Sequence, residues 1–162
     1  MSTYRLEKNR RVKATITFLS KVEIKGSFFL SEAVPNHAGP ERVSDLLNRS
    51  ERFFPFEVEG GEGKKPYVAI YARAHIALVE IDPSGSEVEA DPSLELASHK
   101  LVSFLFSNGT RVRGELFVAA PEGQDRISDF ANTMPRFQHF TVRGAMSLVN
   151  LEHVVEILPI SE

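Results

Sequence analysis

The amino-acid sequence predicts an all-β protein with one short helical turn per repeat, built as two tandem small barrels sharing a junction. Three observations carry this. Apolar and polar residues alternate with period 2 over several runs. Four blocks of residues recur in one order. The same helix-like motif, Arg-(Val/Ile)-Ser-Asp-x-x-Asn, appears once in each copy.

The recurrence covers four blocks. Lys21-Val-Glu-Ile-Lys-Gly26 returns as Thr110-Arg-Val-Arg-Gly114. Arg42-Val-Ser-Asp-Leu-Leu-Asn48 returns as Arg126-Ile-Ser-Asp-Phe-Ala-Asn132. Phe53 and Phe56 return as Phe137 and Phe140, and Ile70-Tyr-Ala-Arg-Ala-His75 returns as Leu148-Val-Asn-Leu-Glu-His153. The offset falls from 88 to 84 to 78 along the chain, so the first copy carries longer loops, near residues 34–40 and 60–65.

Each copy begins with two strands. Val12, Ala14, Ile16 and Phe18 alternate with Lys13, Thr15 and Thr17, the pattern of a half-buried strand. Val22, Ile24, Gly26 and Phe28 then alternate with Glu23, Lys25 and Ser27. In the second copy Val102, Phe104 and Phe106 precede Asn108-Gly109, a hairpin signal, and Val112, Gly114 and Leu116 follow. Gly26 and Gly114 fall on the apolar face, where a glycine marks a bend or a close backbone approach. The Arg-x-Ser-Asp motif comes next as one helical turn. Ser44 and Ser128 are expected to cap it, Asp45 and Asp129 to favour its dipole, and Asn48 and Asn132 to end it in the left-handed conformation. Two strands complete each copy, at 53–58 and 67–81, then at 137–142 and 146–158. The last of each pair breaks near its histidine.

Between the copies, residues 80–98 hold six acidic residues and no Lys or Arg, with Pro, Gly and Ser interspersed. This reads as a solvated linker, giving a division into 1–81, an acidic linker 82–98, and 99–162. Residues 1–25 are the opposite, with seven basic and two acidic residues.

Five short strands with one helical turn, a glycine-bearing second strand and the closing Ser147-Leu-Val-Asn-Leu-Glu-His-Val-Val-Glu-Ile157 resemble Sm-like or SH3-like small barrels. The Arg-x-Ser-Asp-x-x-Asn-x-x-x-x-Phe element is similar to one in a bacterial family of unknown function that pairs two such units. The resemblance implies the fold. Sm-like proteins often bind RNA as rings, but the RNA-contacting signatures of that family are not evident here.

Composition narrows the function classes. The chain has 162 residues, 42% apolar and 25% charged, with no cysteine and a formal charge of −3. Zero cysteine excludes disulfides, iron–sulfur clusters, thiolate zinc and cysteine catalysis. No apolar run reaches the ~20 residues of a membrane helix. The polar start is unlike a signal peptide, and a cytoplasmic location is expected. The acidic balance disfavours a dedicated nucleic-acid binder.

Ser44 with Asp45 and Ser128 with Asp129 suggest acid–base or nucleophilic chemistry, but their duplication favours capping. No His-x-His or His-x-x-x-His pair occurs among His37, His75, His99, His139 and His153. His75 and His153 are repeat-equivalent and could approach each other, yet a hydrogen-bonded role at a strand break is the commoner one. Gly60-Gly-Glu-Gly-Lys-Lys65 lacks the spacing of a phosphate loop and reads as a hairpin tip. Arg5, Lys8, Arg10, Arg11 and Lys13 form the best ligand candidate, with Arg10, Arg11 and Lys13 as the residues to grip phosphate. Such a run resembles one half of the cyclic-dinucleotide signature of PilZ domains; the other half is absent. Most phenylalanines, including Phe53, Phe56, Phe137 and Phe140, are expected in the core. Phe29 and Phe54 are expected to face the other way and to form an interface.

The sequence thus leads to a non-enzymatic bacterial protein-interaction or regulatory module that docks through exposed strands, needs no cofactor or metal, and takes another protein, or a second copy as a homodimer, as partner. A nucleotide or small-ligand sensor using the basic arm is the alternative, followed by an RNA- or DNA-binding protein.

Overall fold

A computed structural model describes residues 10–32, 39–89, 98–118 and 127–160. Ten strands form one antiparallel sheet: β1 (Arg10–Phe18), β2 (Glu23–Leu30), β3 (Phe53–Val58), β4 (Tyr67–Ala72), β5 (Ile76–Ile81), β6 (Ser98–Phe106), β7 (Arg111–Val118), β8 (Phe137–Val142), β9 (Ala145–Asn150) and β10 (Val154–Pro159). The helices are short: α1 (Val43–Leu47), α2 (Pro83–Glu89) and α3 (Ile127–Phe130), with 3-10 turns at Arg73–His75 and Leu151–His153.

The strand order is β10-β6-β7-β8-β9-β5-β1-β2-β3-β4. Its two halves carry one pattern: the fifth strand of a half sits outside its first, and the second, third and fourth follow. The pairing register agrees residue by residue. Ala14 faces Gly26 as Val102 faces Gly114. Phe56 faces Ala69 as Phe140 faces Ser147. Ile16 faces Val79 as Phe104 faces Ile157. Even the irregularities coincide: Ala77 on β5 and Val155 on β10 are each the extra residue of a β-bulge against the neighbouring strand.

Alternation explains most of the burial. Val12, Ala14 and Ile16 point inward on β1, and Phe28 and Leu30 on β2. Gly26 is required by a close approach, because a Cβ there would lie 2.0 Å from the Glu57 carbonyl oxygen. The Asn108-Gly109 turn joins β6 to β7, with Gly109 at φ 88° and Asn108 Oδ1 accepting from Thr110 N–H at 2.9 Å.

Two apolar cores result. The first gathers Ile16, Phe28, Phe54 and Phe56 with Val43, Leu46 and Leu47 of α1. The second gathers Val102, Phe104, Phe106, Leu116, Phe140 and Val142. They meet at the β5·β9 joint, where Leu78 pairs with Val149 and Val79 with Leu148. Val79 and Leu148 belong to the first core, and Leu78 and Val149 to the second. Paired residues share a face, so the sheet is covered on both sides at this joint.

Several expectations need correction. Phe54 is buried and stacks on Phe28 with ring centroids 5.6 Å apart, whereas Phe53 is exposed. On β3, positions 54, 56 and 58 share the inward face, so Phe56 fixes Phe54 inward and Phe53 outward. Phe137 and Phe140 are both buried, but in different cores: Phe137, an odd number of residues away, crosses into the first. Ser44 does not cap α1. Asp45 accepts from Arg42 N–H at 2.8 Å instead. Asn48 has φ −86° and is not left-handed. The acidic segment is not wholly a solvated linker, because its first residues form α2 against β1. Asp82 accepts from Ser84 N–H at 3.1 Å and from its hydroxyl at 2.6 Å, with Pro83 opening the helix. The Ser84 hydrogen bonds hold the Asp82 carboxyl below the usual carboxylate range. Ser128 is exposed, while the side chain of Asp129 and residues 1–9, 33–38, 90–97 and 119–126 lie outside what is described, and with them His37, Arg5 and Lys8.

Candidate functional site

The basic residues do not converge. On β1 the side chain of Arg10 shares the inward parity of Val12, while Arg11 and Lys13 face out. Arg10 donates to the Glu41 carbonyl. Arg11 lies 3.6 Å from Glu57 and stands over the Phe29 ring at 5.1 Å. Phe29 is half-buried on the outer face of β2, and Phe54 lies in the core, so the two do not form one interface.

Three charged side chains, Glu41, Arg73 and Glu89, are buried in the first half, and the last two tie its elements together. The Arg73 guanidinium is buried: its Nε and one terminal nitrogen donate to the Leu46 carbonyl at 3.1 and 3.0 Å, and the other donates to the Phe53 carbonyl at 2.9 Å and to the Glu51 carbonyl. It thereby closes the C-terminal end of α1 and fixes the start of β3. Glu89, at the end of α2, accepts from the Val43 and Ser44 N–H groups at 2.8 and 2.7 Å and lies 2.9 Å from His139 Nε2. Burial pushes its carboxyl up, but the hydrogen bonds from His139 and Ser44 outweigh this and leave it below the usual range. The carboxylate therefore ties α1 of one half to β8 of the other.

Asn48 reinforces that tie. Its Oδ1 accepts from Phe137 N–H at 2.8 Å and its Nδ2 donates to the Phe137 carbonyl at 3.1 Å. Asn150, fully buried on β9, donates to the Ile76 carbonyl at 2.8 Å and accepts from Glu152 N–H at 3.1 Å. The His153 ring meets the Ala74 carbonyl. Each of these groups has a structural occupation. Among the described residues, no group of three His, Asp or Glu side chains is placed to hold a metal ion, and no helix is long and apolar enough to cross a membrane.

An open cleft of about 400 Å³ lies beside β6 and α3, lined by His99, Lys100, Leu101, Glu115, Ile127 and Pro159. His99 and Glu115, both lining it, contact each other.

The remaining surface of note is the two ends of the sheet. Among the described residues β4 pairs only with β3, and β10 only with β6, so one side of each backbone is left there without a ladder partner. Among the described residues, the large apolar side chains that stand exposed are Val22, Phe53, Tyr67, Val68, Ile70, Val155 and Leu158. All but Val22 lie on β4, on β10 or at the start of β3. Phe53, Val68 and Ile70 share one face, because Phe53 faces Ala72, Pro55 faces Ile70 and Glu57 faces Val68. The sequence carried a signal for these edges. The run Tyr67-Val-Ala-Ile-Tyr71 is apolar on both faces, as a strand is when both its faces are covered.

A scan against protein-family models, a search of curated proteins and a search of solved structures found no match to this chain.

Proposed function

We propose that this chain is a non-enzymatic interaction or regulatory module, made of two tandem small barrels, that docks other proteins through its outer strands. The observation that carries this reading is the clustering of exposed apolar side chains on β4 and β10, the two strands with an unpaired backbone edge. A free edge supplies main-chain hydrogen bonds and its side chains supply selection, as in strand addition. Support for two barrels comes from the order of each half, fifth-first-second-third-fourth, and from its separate core. The polar groups add to the reading by what they do: buried Arg73, Glu89 and Asn150, and Asn48 at the surface, hold helices and strands together.

The test is proximity labelling in the native cell with the full chain, comparing the wild type with Val68→Lys and with Leu158→Lys. Both positions are exposed, so the fold is retained. Each variant is expected to lose a set of neighbours. An unchanged set in both overturns edge docking.

A further inference from the structure

We propose that β4 of one copy pairs antiparallel with β10 of a second copy, repeating between chains the β9·β5 joint that the chain makes within itself. This rests on the reading of the outer strands as docking edges and names their occupant as a second copy of this chain.

By register, β4 is to the first half what β9 is to the second, and β5 is to the first what β10 is to the second. The central joint is therefore a fourth strand of one half against a fifth strand of the other. The two strands left free at the sheet ends are one fourth strand and one fifth strand. They are the same two kinds of edge that already fit each other. A head-to-tail arrangement would place Ile157 opposite Ile70, as Val79 is opposite Leu148, and Leu158 opposite Ala69, as Glu80 is opposite Ser147. Glu156 would face Tyr71, as Leu78 faces Val149.

The exposed side chains are the ones this joint would cover. Ile70 is 62% exposed, whereas its equivalent at the joint, Leu148, is 0% exposed in the first core. Phe53 is 52% exposed, whereas Phe137 is 0% exposed in that same core. Val155 is 64% exposed, whereas Ala77 is 4% exposed in the second core. Residues that reach across the joint inside the chain thus have counterparts that reach into solvent at its ends.

A polar observation agrees independently. Asn48, at the end of α1, binds the backbone of Phe137 across the joint. Its counterpart after α3 is Asn132, which is exposed and has no hydrogen-bond partner among the described residues. In the proposed joint Asn132 accepts from Phe53 N–H of the next copy. The Phe53 carbonyl is already bonded to Arg73 within its own chain. One inner bond has no counterpart. Asn150 donates to the Ile76 carbonyl, and Ala72 stands in the place of Asn150. The joint between copies is accordingly the weaker one and forms with rising concentration. Because the contact is head-to-tail, it closes into a ring where the rotation divides a full turn and otherwise extends.

The full chain is tested by sedimentation velocity and native mass spectrometry from low to high micromolar concentration. Wild type is expected to assemble as concentration rises, with slowed hydrogen exchange in β4 and β10. Ile70→Lys and Asn132→Ala are both exposed changes and keep the monomer fold. Ile70→Lys is expected to raise the dissociation constant roughly thirtyfold or more, and Asn132→Ala by about fivefold to tenfold. A wild type that stays monomeric, with unprotected β4 amides, overturns the second copy as occupant and leaves edge docking to a different protein standing. Assembly that neither variant weakens overturns both this proposal and edge docking.

Discussion

The β5·β9 joint and the two outer strands are assembled from equivalent positions, yet the joint is among the most buried parts of the sheet and the outer strands are its most exposed. Leu148 and Ile70 are similar side chains at one register position. The difference is only that another half lies against the first and none lies against the second. Exposure here is a property of place in the sheet, not of local sequence. An apolar residue on an end strand is therefore informative in a way that an isolated exposed leucine is not.

The largest effects test whether the joint is as sealed as its burial implies. Phe137→Ala should destabilise the dilute chain by about 3–5 kcal/mol, since it opens a cavity in the first core. Phe53→Ala, at the equivalent outer position, should change stability by less than about 0.5 kcal/mol. Urea denaturation of both variants at low micromolar concentration measures the contrast. Equal losses would mean that Phe53 is already covered in a single chain.

Arg73 sharpens the comparison from the polar side. Its equivalent in the second half is Leu151, packed against the second core. Arg73→Leu therefore installs the residue that the other half uses, but in a place where three carbonyls, of Leu46, Glu51 and Phe53, depend on the guanidinium. The expected loss is about 3 kcal/mol, from buried acceptors left unpaired. Thermal unfolding of this variant reads it. A neutral result would show that α1 closes without its arginine.

How much of this was legible in the sequence depended on where the deciding partner lay. The strands of β1, β2, β6 and β7 were readable because period-2 alternation reports burial against the strand's own half. The breaks at His75 and His153 were readable too, and the structure has 3-10 turns there. The likeness of Phe53 and Phe56 to Phe137 and Phe140 points Phe53 inward and Phe54 outward, the reverse of the structure, because Phe137 and Phe140 are three residues apart and lie in different cores. Phe137 is buried by the other half, and nothing in its neighbours' sequence says so. The helix α2 was hidden by its composition, although Asp82-Pro83-Ser84 is a helix-start signal in itself. Glu89 and Asn48 act on residues tens of positions away, so their roles belong to the tertiary structure alone.

Glu89 offers an effect of intermediate size with a pH signature. Its folded-state pKa is lowered, burial being outweighed by hydrogen bonds from His139 and Ser44. Stability from this group is therefore complete above the unfolded-state value of about 4.3 and is lost as pH falls through the lower folded value. Glu89→Gln keeps the shape but loses the charge, with an expected cost of about 1–3 kcal/mol near neutral pH. The difference between variant and wild type should shrink on acidification. Denaturation midpoints at pH 7 and pH 3 measure this, and a difference that grew in acid would contradict the hydrogen-bonded carboxylate.

The smallest expected effect divides joint from edge most finely. Asn48 and Asn132 are the same residue at the same place in their halves, and among the described residues only Asn48 meets a partner. Asn48→Ala should cost about 1–2 kcal/mol, because the Phe137 N–H loses its acceptor. Asn132→Ala should be neutral in the dilute monomer to within about 0.5 kcal/mol. The double variant should then match Asn48→Ala alone at low concentration, since the two sites share no contact. If Asn132→Ala destabilises the dilute chain as much as Asn48→Ala does, the outer asparagine already has a use within its own chain. The symmetry between joint and edge would then be broken at that position. If it is neutral when dilute and costly only as concentration rises, the same side chain is doing the same job across a boundary between molecules.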